Sequence, residues 1–249
     1  MAGARTAEPR NASVAVVGAG DFIGAAICRR FASEGFHVHG GRRQGEKLAP
    51  LAADIAATGG RFTGHTLDAR SEEAVSTFLD AANASAPLEA VIFNIGANVN
   101  IPLLDTTERV FRKVWEMACY AGFLTGREAA RHLLANGGGS IFFTGATASI
   151  RGGKGYAAFA SAKAGLRLLA QSMARELGPQ NIHVAHLVID AGVDTEFVRQ
   201  RYAERGITEI PPGTLMEPAS IANSYWLLHT QPKDAWTHEL DLRPSGETW

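Results

Sequence analysis

Cysteine is scarce in this chain: Cys28 and Cys119 are the only two among 249 residues, far apart and with no C-x-x-C spacing. That excludes a scaffold held by several disulfides, and two reduced thiols in a cytosolic protein are expected. Long apolar runs are missing as well, so no segment reads as a membrane-spanning helix. An excess of charge of one sign is also missing. With 24 Lys and Arg against 25 Asp and Glu the formal net charge is −1, and the basic residues are scattered, which argues against nucleic acid as the partner. The eight histidines show no metal-ligand spacing. His37 and His39 share one face of a prospective strand with no third ligand evident, and His183 and His186 fall on opposite faces, so no metal is expected. The opening "MAGARTAEPRNAS" lacks the apolar stretch of about 7–15 residues that a targeting signal needs. Residues 1–12 read as a disordered lead-in, and a cytoplasmic location is expected.

What is present is apolar material in a regular order. Hydrophobic residues make up 46% of the chain and charged residues 20%, enough for a sizeable core. Short β-branched runs alternate with stretches of helical periodicity. "SVAVVG" (13–18) reads as a strand and 21–35 as a helix ending at a glycine. "FHVHGG" (36–41) is the next strand, followed by a helix over 45–60 with a possible kink at Pro50. Strands are expected at 61–68, 88–96, 140–145, 183–189 and in "THELDL" near the end. Helices are expected over 71–85, with Ser71 as N-cap and acids in the first turn, over about 105–134, and over about 155–177. Strand–helix alternation implies right-handed βαβ units and a parallel sheet covered on both faces. No linker or repeat interrupts 13–249, so one α/β domain is expected, with a doubly wound sheet of about seven strands. A closed eight-stranded barrel is the rival, but it needs another strand.

The stretch "VVGAGDFIGAA" favours the open sheet. It places Gly18, Gly20 and Gly24 between the first strand and the first helix, where backbone N–H groups and the helix N-terminus can receive an anion. The spacing is G-x-G-x-x-x-G rather than G-x-G-x-x-G.

From about residue 13 onward the chain resembles the short-chain dehydrogenase/reductase family, whose fold is Rossmann-like. The family's loop is T-G-x-x-x-G-x-G; Gly18 and Gly24 match it, Ile23 lies between the last two glycine positions, Val17 replaces the Thr, and Phe22 replaces the middle Gly. "FNIG" (93–96) stands where the family has N-N-A-G and keeps Asn94 and Gly96. Asp68, followed by Ala69, matches the acid that contacts adenine. Thr195 matches a Thr that contacts the nicotinamide carboxamide, and Pro218-Ala219 before a helix is also family-like. The resemblance implies a bound dinucleotide. At the end of the second strand, where an NAD-preferring chain offers a carboxylate, this one has Arg42 and Arg43. A guanidinium pairs bidentately with a 2′-phosphate, so NADP(H) is favoured over NAD(H).

The same resemblance marks an unusual centre. In the family a Tyr protonates the substrate oxygen, a Lys four residues later lowers its pKa and holds the nicotinamide ribose, and a Ser thirteen residues before the Tyr orients the carbonyl. Lys163 fits the Lys; counting back gives Phe159 in the Tyr position and Ala146 in the Ser position. On the long helix, Cys119 stands for the family's Asn, with Gly122 kept. Asp190-Ala191 stands for the usual Pro-Gly after the sixth strand. A phenyl ring donates no proton, and positioned acid–base catalysis is worth roughly 10²–10⁴-fold. Three readings stay open. In the first, redox chemistry is kept, with the proton supplied by Tyr156, Thr147, Asp190 or Tyr120, or with an acceptor such as an iminium that needs no acid. Tyr156 is the foremost of these, one helical turn before Phe159. In the second, the pocket serves a non-redox isomerisation, cyclisation or elimination. The third is an NADP(H)-binding protein without catalysis. The substrate is expected to be a small molecule, and the resemblance implies a homodimer or homotetramer.

Overall fold

The computed structural model describes residues 6–207 and 209–247. Seven parallel strands form one sheet in the order β3-β2-β1-β4-β5-β6-β7. They are β1 (Ser13–Val17), β2 (His37–Arg42), β3 (Arg61–Thr66), β4 (Leu88–Phe93), β5 (Gly139–Thr144), β6 (Ile182–Ile189) and β7 (Glu239–Leu242). The sheet is open, with β3 and β7 at its edges, so the barrel alternative falls away. Helices α1 (Ile23–Ser33), α2 (Ala49–Ala57) and α3 (Glu72–Ser85) connect the first four strands. They are followed by α4 (Glu108–Trp115), α5 (Ala121–Ala135), α6 (Ala157–Leu177), α7 (Glu196–Glu204) and α8 (Pro218–His229).

Strand alternation builds two cores. On β1, Val14 and Val16 join one core with Ile27, Phe31, Phe142 and Tyr225. Ala15 and Val17 face the other, with Leu79, Phe93, Leu124 and Leu166. A strand sends successive side chains to opposite faces, so the unbroken apolar run of β1 is what a strand covered on both sides requires.

The expected elements shift where local chemistry decides. Pro50 does not kink α2; it lies in the first turn, where its missing N–H costs nothing. Ser71 caps α3 by accepting from Ala74 N at 3.2 Å. The helix expected from about 105 starts at Glu108 because the Thr107 hydroxyl caps it, and a π turn at Glu116–Tyr120 separates α4 from α5. The lead-in expected to be disordered over 1–12 is tied down from Thr6 onward. Ala7 N donates to Ser33 O and Arg10 N to Gly35 O, both at 2.9 Å, and the Arg10 guanidinium lies 4.8 Å from the Phe36 ring centre. Residues 1–5 of that stretch lie outside the described residues.

The third histidine missing beside His37 and His39 comes from the next strand. In the β2–β3 register His65 sits opposite Gly41, and His39 Nδ1 meets His65 Nε2 at 3.0 Å. His39 Nε2 bonds Ser85 Oγ and His37 Nε2 bonds Thr63 Oγ1, so these nitrogens are engaged with neighbours. Among the described residues no group of three or more His, Cys, Asp or Glu side chains is placed to hold a metal ion.

Burial, first of all, lowers six histidines: His39 is pushed down to about 3, His186 and His229 to about 4, and His37, His65 and His183 are also lowered. Below pH 6.5 the unfolded chain takes up protons that the native state refuses, so this contribution to stability is present above 6.5 and is lost as pH falls toward 4. Urea denaturation followed from pH 7.5 to 4.5 is expected to show a midpoint falling steeply below 6.5. His186→Asn should flatten part of that slope, and a pH-independent midpoint would contradict the assignment.

Candidate active site

The carboxyl ends of β1, β4 and β5 are tied together by one line of hydrogen bonds. Asn94 Nδ2 donates to Gly18 O at 3.0 Å, and Asn94 Oδ1 accepts from Thr144 Oγ1 at 2.9 Å. Thr144 Oγ1 also meets the hydroxyl of Tyr225, from α8, at 2.6 Å. Tyr225 is fully buried, which drives its ionisation far above the ordinary range and keeps it a neutral phenol. The phenol donates to Thr144, and Thr144 donates on to Asn94. Lys163 of α6 adds a second tie: its Nζ donates to Thr144 O at 2.7 Å and Ile95 O at 2.9 Å. An ammonium has three donors, so one is left for the cleft it lines. Burial pushes this lysine down to about 7.

Two adjoining clefts, of ≈ 510 and ≈ 650 Å³, open over these strand ends and share Gly18, Gly20, Asn94, Ile95 and Gly96. The glycines are placed to receive a ligand. Gly18 has φ +92°, and a Cβ there would lie 2.7 Å from Asn94 O. A Cβ on Gly24 would meet Gly18 O at 2.3 Å, so the start of α1 packs directly on the loop. At Gly20 and Gly96 a Cβ would meet nothing within 4 Å. Both line the clefts, and their bare backbone leaves room for a ligand to approach. No side chain caps α1 at Phe22, which leaves first-turn N–H groups for an anion. This backbone fits a pyrophosphate.

The first cleft is lined by Arg42, Arg43, Asp68 and Ala69 together. Two ion pairs there were not foreseen. Arg42 is bonded to Asp21 of the glycine loop at 2.7 Å. Asp68 takes Arg70 on both oxygens, at 2.9 and 2.6 Å, and that bond holds its carboxyl below the usual range. Only the alternation of charge in "DARS" hints at the second.

The second cleft gathers Phe22, Ile23, Gly24, Ala146, Thr147, Tyr156, Phe159, Lys163 and Thr195. Phe159 is 6% exposed and packs with Val114, Ala118, Ala158 and Ala162 as an apolar floor. Tyr156 stands at the N-terminus of α6, and its hydroxyl makes no hydrogen bond among the described residues. The Thr195 hydroxyl caps α7 by accepting from Val198 N at 3.1 Å and keeps its own proton to donate. Cys119 packs beside Phe159, and burial raises its thiol above the ordinary value.

Two expected residues are elsewhere. Asp190 does not line the cleft; Ile189 and Ala191 on either side of it do. Alternation turns the carboxylate inward, where Arg243 bonds it at 3.0 Å. Tyr120 stacks on Trp115, 5.9 Å between ring centres, in a separate recess. Thr144, Tyr225 and Arg151 were missed, because nothing local marks a residue whose partner is distant in the chain.

A glycine loop after the first strand, with clefts at the carboxyl ends where strand order reverses between β1 and β4, defines a dinucleotide-binding α/β protein. The chain belongs to the short-chain dehydrogenase family, whose model matches residues 12–206. It is 29% identical over 214 residues to the 3-oxoacyl-[acyl-carrier-protein] reductase MabA of Mycobacterium tuberculosis, covering 84% of this chain and 82% of that one. Among solved structures, a short-chain dehydrogenase from Rhodopseudomonas palustris is 60% identical with a TM-score of 0.83, covering 95% of this chain and 100% of that one. A metagenomic short-chain oxidoreductase in complex with NADP is 25% identical with a TM-score of 0.81, covering 96% and 100%. No helix among the described residues is long and apolar enough to cross a membrane.

Asn94→Ala removes the centre of the polar line and leaves Thr144 Oγ1 and Gly18 O each short of a partner. Unfolding free energy should fall by about 1–3 kcal/mol, measured by urea denaturation. Affinity for a nicotinamide dinucleotide, measured by calorimetry, should weaken at least about tenfold. A variant as stable as wild type would contradict this role.

Proposed function

We propose that the protein is an NADP(H)-dependent oxidoreductase that reduces a carbonyl of a small organic substrate, with Tyr156 serving the substrate oxygen in place of residue 159. In this reading Phe159 and Ala146 occupy the positions where the family carries its Tyr and Ser. The observation that carries it is the shared cleft: Tyr156, Phe159, Ala146, Thr147 and Lys163 line one cavity, whereas Asp190 and Tyr120 lie outside it.

The chain's own residues divide the work. The Gly18–Gly24 loop, with Phe22 and Ile23 opening α1, holds the pyrophosphate. Arg42 and Arg43 take the 2′-phosphate, and Asp68 with Ala69 frames the adenine. Asn94 and Gly96 shape the wall, Lys163 gives its free N–H to a ribose hydroxyl, and Thr195 donates to the carboxamide. When bound, NADPH supplies a hydride to the carbonyl carbon. Tyr156 donates the proton that the carbonyl oxygen gains, and solvent restores it, giving alcohol and NADP⁺ in balance. Phe159 and Ala146 exclude water from that oxygen. The NADP preference rests on Arg42 and Arg43 standing where a carboxylate would repel the phosphate.

A homodimer or homotetramer fits the apolar side chains that α4 and α5 leave exposed, Phe111, Trp115 and Phe123. A cytoplasmic location accords with Cys28 and Cys119 as free thiols.

Two measurements test this. Tyr156→Phe should lower kcat/KM for NADPH-dependent carbonyl reduction by roughly 10²–10⁴-fold while the NADPH dissociation constant stays within about twofold. Undiminished turnover would remove Tyr156 from the mechanism. Lys163 ionises near 7 in the free protein, and a bound anionic dinucleotide favours its ammonium. Binding therefore takes up a proton above that pH, and NADP⁺ affinity should fall as pH rises from 7, by at most about tenfold per pH unit. Lys163→Met should bind more weakly with a flat profile in the same range. An unchanged slope would place the titration elsewhere.

A further inference from the structure

Arg151 stands on the wall of the second cleft, in the turn before α6, where its backbone N–H donates to Thr147 O at 3.1 Å. Its side chain is half exposed, and its guanidinium makes no hydrogen bond among the described residues. The nearest anion is Oδ1 of Asp190, at 3.6 Å, beyond hydrogen-bond length. Asp190 is itself buried, its side chain only 5% exposed. Its Oδ2 is held by Arg243 Nε at 3.1 Å and Nη2 at 3.0 Å, and Arg243 also bonds Asp241. Oδ1 is buried with no hydrogen-bond partner. A fixed negative charge thus lies behind Arg151 and steadies it without using its donor fork.

The charges facing the cleft are one-sided. Among the residues lining it, Asp21 is the one carboxylate, and Arg42 holds it. Lys163 and Arg151 are its cations, and Lys163 is committed to two backbone carbonyls. Gly152, Gly153, Ala146, Ala148 and Phe159 line the same cleft, with Thr147, Tyr156 and Asn98 among its uncharged polar members. A planar guanidinium with unengaged donors, beside an apolar cavity, matches the two oxygens of a carboxylate. One such cation balances one negative charge, which suits a carboxylate better than a phosphate dianion.

We infer that Arg151 receives a carboxylate of the substrate, so that the compound reduced is an oxo acid whose carboxylate lies on Arg151 and whose carbonyl lies near Tyr156. Asp190 is the positioning residue behind Arg151. The carbonyl half of this statement rests on the oxidoreductase reading; the carboxylate half does not.

The test compares aliphatic oxo acids of increasing length with their methyl esters in NADPH oxidation. In parallel, the same acids and esters are titrated by calorimetry into protein saturated with NADP⁺. Acids should exceed their esters by roughly 10–100-fold in kcat/KM and bind correspondingly tighter. Arg151→Gln should bring that ratio close to one, and Asp190→Asn should raise KM for the acids more than it lowers kcat. Equal treatment of acids and esters in both arms, or a preference that survives Arg151→Gln, would overturn the inference. Binding that prefers acids and needs Arg151, with no oxidation of NADPH, would keep the carboxylate site and remove the oxidoreductase reading instead.

Discussion

The hydrogen-bond line from Tyr225 through Thr144 and Asn94 to Gly18 is the constraint on which the rest of the site depends. Parallel strands end with unpaired backbone groups, and the loops leaving them diverge to opposite faces of the sheet. Here three strand ends and one helix are held at fixed separations by the buried Thr144 and Tyr225 and by Asn94, which is partly buried at the cleft wall. Thr144 and Asn94, in the middle, each both give and receive, so removing either leaves its neighbours short of a partner. The glycine loop, the β4 exit and the β5 exit therefore open into a cleft of set width. Lys163 is fixed against the same framework, bonded to backbone on both sides of the cleft.

Strain is placed next to that framework. Ala97, just past Gly96, has φ +129°, a region that non-glycine residues avoid. Its side chain packs with Phe159 and Tyr156 in the small apolar cluster under the second cleft. The π turn at Glu116–Tyr120 brings Cys119 to the same cluster. The chain thus departs from regular geometry around residue 159.

Much of this was legible in the sequence, for physical reasons. Strands β1, β4, β5 and β6 follow from apolar runs covered on both faces, the other three from their place in the strand–helix alternation, and the glycine loop from spacing confined to a few residues. Lys163, Tyr156 and Phe159 could be placed together because a helix fixes the geometry of neighbours three or four apart. What was not legible depends on register or on partners far away in the chain. His65 joins His37 and His39 only because β3 pairs with β2 in one particular register. Asp190 looked like a cleft residue, but the alternation of side chains at the end of β6 points it at Arg243. Asp21 and Arg42, Thr144 and Tyr225, and Arg151 and Asp190 are pairs whose members are too far apart in sequence to signal each other.

The oxidoreductase reading joins the dinucleotide cleft to a centre lined by Tyr156, Phe159 and Lys163, and one measurement addresses that junction. The protein is supplied with NADPH carrying deuterium at nicotinamide C4, in separate pro-R and pro-S forms, together with the oxo acids described above, and the products are read by mass spectrometry. The account predicts one deuterium at the former carbonyl carbon, from one of the two labelled forms only. A product formed without deuterium from either would contradict it, and would mean that the cleft performs chemistry in which no hydride moves.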